Sequence, residues 1–183
     1  IVTIYSVRTA AGEEIGWRGY MLTRLIDAGV PKPVLASGII WGVWHVPLIL
    51  GGVYLAGPPP ALSALLWMVT ATSFSFVFAR LRLETGSVWP AIALHASWNS
   101  IIQVAFDPAS TGAGAAVWVG ESGGLVALTM IVAAVVFGRG RWMMICSIAP
   151  CRWPTAFAGF TPKISGLPPK SPRRSASIPA RAI

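Results

Sequence analysis

Four long apolar stretches, separated by turns and one loop, set what this chain can fold into. They run over residues 34–56, 60–79, 88–106 and 123–137. A helix needs roughly 20 mostly apolar residues to cross a bilayer. The first three stretches qualify; the fourth is marginal unless it starts near Ala115 and takes in Glu121. Gly57-Pro58-Pro59-Pro60 is a hard break between the first two. Residues 107–121, rich in Gly, Ala, Ser and Thr, read as the longest loop of the body. The chain is 55% hydrophobic and only 11% charged, against about 25% charged residues in soluble domains. A soluble globule and a mostly disordered chain are both excluded. The fold class expected is all-α, a polytopic transmembrane helical bundle.

The basic residues then orient the bundle. Residues 1–137 hold six basic and six acidic side chains, so the whole +8 sits in residues 138–183. Lys32 precedes the first stretch, Arg80 and Arg82 follow the second, and Arg139 and Arg141 follow the fourth. The connections at 57–60 and 107–121 carry no Lys or Arg. This alternation predicts a multi-pass cell-membrane protein with those basic sites, and the C-terminus, on the cytoplasmic side. Trp89, Trp118 and Trp142 fall near the expected span ends, as interfacial aromatics do.

Two domains follow: a membrane-embedded helical domain over 1–137, and a basic tail over 138–183 that is disordered or an artefactual extension. The tail holds seven of the fifteen prolines and no amphipathic period, so it lacks the surface to order itself. The weaker reading of the tail is a polybasic segment drawn to anionic lipid or nucleic acid; the predicted partner at this level is the lipid bilayer, with no nucleic acid. Cys146 and Cys151 lie in the tail and define neither a disulfide framework nor a metal knuckle. The opening residue, Ile1, points to a fragment or a processed chain, and no signal peptide is visible. Within residues 1–28, the stretch from Glu13 to Asp27 reads as a helix with Ile15, Leu22, Leu25 and Ile26 on its apolar face. It carries too much charge to face lipid.

Ionisable residues inside apolar sequence are the informative ones, because burial costs several kcal/mol unless they are paired or used. Both histidines are of this kind: His45 in Trp41-Gly-Val-Trp-His45, and His95 in His95-Ala-Ser-Trp-Asn99. His95 and Asn99 are four apart and share a helix face. Glu14 and Arg18 have the favourable i, i+4 order for a helical ion pair, while Glu13 lies about 100° away around the helix. Taken singly, each has an ordinary reading as a packing histidine or a solvated acid. Depth joins them. Counting about 1.5 Å per residue from the expected cytoplasmic ends, Glu13 lies about 21 Å up, His45 and Asn99 about 16 Å, and His95 about 10 Å. One carboxylate, two imidazoles and an amide fall in a common layer, within the error of helix ends read from sequence.

Glu13-Glu14-x-x-x-Arg18, then Trp41-x-x-x-His45, then His95-x-x-x-Asn99, in that order on successive helices, resembles the CPBP family of intramembrane glutamic endopeptidases (CAAX protease and bacteriocin-processing, or Abi). The likeness covers about residues 10–106. The family's earlier helices are not in this sequence, residues 138–183 resemble nothing in it, and Trp41 stands where the family usually has Phe. The resemblance implies that Glu13 is the catalytic glutamate, activating a water together with His45. It implies that His95 and Asn99 stabilise the oxyanion, with Glu14 and Arg18 as structural support. No cofactor and no metal are implied, and the substrate would be a prenylated protein or another membrane-adjacent peptide. The chemistry is reasonable: desolvation disfavours the charged carboxylate and makes it a better base, and paired donors can meet developing carbonyl charge. Two other readings stay open: a metal-binding membrane protein, since two histidines and a glutamate suffice for zinc, and a non-enzymatic membrane scaffold.

Overall fold

A computed structural model describes residues 2–54, 59–112 and 114–139, all within a unit spanning residues 1–153. The tail expectation falls outside the described residues, apart from Gly138 and Arg139. Among the described residues every regular element is helical, so the all-α expectation holds.

The chain opens with α1 (Val2–Glu14), passes through a π-helical segment (Ile15–Met21) and closes the same rod with α2 (Leu22–Asp27). The sequence reading placed the start of this helix at Glu13, eleven residues late. The buried face of α1 is Ser6, Ala10 and Glu14, one residue in four. Small and polar side chains there carry no hydrophobic periodicity, yet they let α1 lie close against a later helix, where Ala10 meets Ile92 and Ala96. The rod stops where Gly29 takes a left-handed φ of 68°. The Val30 amide then reaches back to the Leu25 carbonyl at 3.0 Å, capping the last turn.

Pro33 at the first helical position opens α3 (Pro33–Leu50). Pro60 opens α4 (Pro60–Thr85) in the same way, and left-handed Gly86 ends it. Both helices are long and apolar enough to cross a membrane. α3 stops at Gly51-Gly52, six residues short of the expected Ala56, and α4 runs six beyond Ala79. α5 (Trp89–Trp98) continues through a second π-helical segment (Asn99–Phe106) into a single turn, α6 (Asp107–Ala109). The expected long loop thus contains two helical turns, α6 and α7 (Ala115–Trp118), before α8 (Gly124–Phe137) closes the body.

α4 is the central helix, packed by α3, α5 and α8, and α1 lies against α5. The α3–α4 seam is close because Gly38 and Gly42 face it. A methyl group on Gly38 would sit 3.0 Å from Ser75 and from the Thr72 backbone. Polarity is distributed inside out. Leu128, Val132 and Val135 of α8 and Val43 and Trp44 of α3 point outward, while Glu14, Arg18, His45 and His95 are buried. This is the arrangement of a bundle solvated by lipid. The fold is a polytopic membrane bundle.

Candidate active site

The first π-helical segment begins directly after Glu14 and carries Arg18. Such wide turns recur at functional sites. Glu14 is fully buried, and its Oε1 accepts from Arg18 Nη1 at 2.9 Å, the pair read from the spacing. The same oxygen lies 2.8 Å from His95 Nδ1. A carboxylate only accepts, so His95 donates from Nδ1. Arg18 spends its second nitrogen on Ser75 Oγ at 2.9 Å and stacks on the rings of Trp41 and Phe78. This cation is held by an anion, a hydroxyl and two aromatic faces, which offsets its burial.

Glu13, about 100° further round the helix, is half buried and separate from that network. Its Oε2 accepts the indole N–H of Trp41 at 3.0 Å. Trp41 also fixes His45: the Trp41 carbonyl lies 2.9 Å from His45 Nδ1. The carbonyl can only accept, so Nδ1 carries the proton and a neutral His45 presents a bare Nε2. Phenylalanine at position 41 would supply that carbonyl but not the bond to Glu13. Asn99 opens the second π-helical segment, and its Oδ1 is buried with no partner among the described residues.

Glu13, His45, His95 and Asn99, from three separate helical rods, line one cavity of about 240 Å³. Glu14 and Arg18 stand behind its wall. Among the described residues no group of three or more His, Cys, Asp or Glu is arranged to hold a metal ion.

A larger cavity of about 430 Å³ adjoins this one, and Tyr54, Gln103 and Glu121 line both. In the sequence Glu121 reads only as a cost to the fourth span. It is instead 2% exposed and accepts three hydrogen bonds: from Tyr54 Oη at 2.7 Å, Trp98 Nε1 at 2.7 Å and Gln103 Nε2 at 2.8 Å. Burial pushes its carboxyl above the usual range, with the Asp107 charge adding to the rise, while the three donors oppose it. Burial, and then the Glu121 charge, hold the Tyr54 hydroxyl far above its ordinary value, so it stays protonated and donates. A loop acid with partners on three other segments leaves no periodic signal in sequence.

Residues 1–101 match the family described as Type II CAAX prenyl endopeptidase Rce1-like. The chain belongs to that family. The match covers every motif residue from Glu13 to Asn99 in this Rce1-like chain and stops before Gln103 and Glu121. No curated protein and no solved structure matches the chain. Membership gives the coarse function, a membrane-embedded CAAX-protease-like endopeptidase.

Proposed function

We propose that this Rce1-like chain is an intramembrane glutamic endopeptidase that cleaves prenylated or other membrane-adjacent peptides with a water activated by Glu13 and His45. One observation carries the reading: Glu13, His45, His95 and Asn99 converge on one cavity from three separate rods. Glu13 takes a proton from water, and the bare Nε2 of His45 orients the same water. Hydroxide adds to the scissile carbonyl carbon, and the oxyanion meets His95 Nε2 and the Asn99 amide. Donation from Nε2 requires a proton on both ring nitrogens of His95, since Nδ1 already donates to Glu14. As the C–N bond breaks, the proton held by Glu13 passes to the departing amine. The unpartnered Asn99 Oδ1 suits a peptide substrate, whose N–H would satisfy it. The protein is multi-pass in this reading, with its C-terminus in the cytoplasm.

The test is hydrolysis of a prenylated CAAX-type peptide by membranes carrying the protein. Glu13→Gln keeps the side chain's shape and its bond to Trp41 but removes the base. Turnover should vanish while thermal stability stays nearly unchanged. Full activity in Glu13→Gln would rule out the glutamate mechanism.

A further inference from the structure

We propose that Glu121 is a positioning residue for this site, a carboxylate that fixes His45 through Tyr54 and brackets Asn99 through Trp98 and Gln103. The inference rests on the glutamic-endopeptidase reading above. It concerns a residue beyond the family match, which ends at residue 101.

Tyr54 lies in the turn after α3, and its ring packs against His45 with centroids 5.4 Å apart. Its hydroxyl donates to Glu121 Oε2 and accepts from Gln103 Nε2 at 3.1 Å. Trp98 immediately precedes Asn99, and Gln103 lies one turn after it; both donate to Glu121 Oε1. One carboxylate on the segment between α7 and α8 therefore ties together the end of α3, the end of α5 and the second π-helical segment. Those segments carry the proposed water-orienting imidazole and the proposed oxyanion amide. None of the three donors is a cation, and among the described residues no ion pair reaches Glu121. Its role is that of a shared acceptor. Removing it leaves the Tyr54 hydroxyl and the Trp98 indole without that acceptor and Gln103 with only the Tyr54 oxygen, and it frees Tyr54 to move off His45.

Glu121→Ala should lower kcat roughly 100-fold, the cost of misplacing reacting groups by about 1 Å, with KM within about twofold of wild type. Glu121→Gln keeps an acceptor for Trp98 and Gln103 and offers its amide to the Tyr54 oxygen. It should therefore recover most of the lost kcat. A residue that only holds the fold together would lower the amount of folded enzyme and leave kcat per folded molecule intact. If Glu121→Ala does not fold, Tyr54→Phe and Tyr54→Ala carry the same test. The first keeps the ring on His45 and loses the tether; the second loses both and should be slower. Wild-type kcat in Glu121→Ala, equal loss in the Ala and Gln variants, or a loss confined to KM would each overturn the proposal. The control is Glu13→Gln. If it abolishes hydrolysis while Glu121→Ala is unaffected, positioning alone has failed; if Glu13→Gln is fully active, both readings fall.

Discussion

Glu13 and Glu14 are neighbours in the chain with unlike surroundings. Glu13 is half buried and bonded to one indole, while Glu14 is sealed between Arg18 and His95. The Glu14–Arg18 pair was legible because both residues sit on one helix at a fixed spacing. The Glu14–His95 and Glu13–Trp41 bonds were not, because each depends on how two distant helices meet. Glu14→Gln leaves the buried Arg18 without its counter-ion, a loss of roughly 3–5 kcal/mol. The expected outcome is a large fall in thermal stability in detergent, with catalysis reduced as well through His95. Unchanged stability would show that Arg18 does not depend on this charge. Trp41 offers a finer test. Trp41→Phe keeps an aromatic face for Arg18, removes the donor to Glu13 and leaves a smaller ring among His45, Trp67, Phe78 and His95. Since a hydrogen bond to a charged group is worth about 1.5 kcal/mol or more, kcat/KM should drop roughly tenfold in a protein that still folds. No change would mean that Glu13 is held by the backbone alone.

At the scale of elements, the apolar runs gave the existence of the main helices, while their ends moved by as much as eleven residues. The α1 error arose because its buried face is polar Ser6, small Ala10 and charged Glu14, which together leave no strong apolar period. The two π-helical segments were illegible because a wide turn and an α-turn share the same apolar cues over so few residues. The seam between α3 and α4 was also silent in sequence: a glycine in an apolar run does not announce what it faces. It now yields an ordering. A Cβ on Gly42 would come within 2.8 Å of Met68 Sδ, and one on Gly38 within 3.0 Å of Ser75 and the Thr72 backbone. The shorter approach is the cheaper one, because Met68 can swing its flexible end aside and the backbone of α4 cannot. Gly38→Ala should cost about 1–3 kcal/mol and disturb Ser75, the partner of Arg18, whereas Gly42→Ala should cost less. Thermal melts of the two variants decide it, and the reverse order would mean that α3 and α4 can slide apart.

Across the whole molecule, packing and charge agree on one axis. Leu22 and Ile26 of α2, Val34 at the start of α3 and Leu83 near the end of α4 form one cluster. Arg80 of α4 reaches the carbonyl of Phe137 at the end of α8 at 3.4 Å and stacks on its ring. These contacts draw Lys32, Arg80, Arg82 and Arg139 toward one end of the bundle. The Tyr54–Glu121 bond joins the turn after α3 to the turn before α8, the two connections on the opposite side of the central helix. That segregation is what the positive-inside rule acts on, and it supports a cytoplasmic end bearing the basic residues. The topology can be read by labelling. With Cys146 and Cys151 first replaced by serine, a cysteine at Ser110 should react with an impermeant thiol reagent in intact cells. A cysteine at Ser175 should react only after the cells are opened. Labelling of Ser175→Cys in intact cells, with Ser110→Cys protected, would invert the orientation.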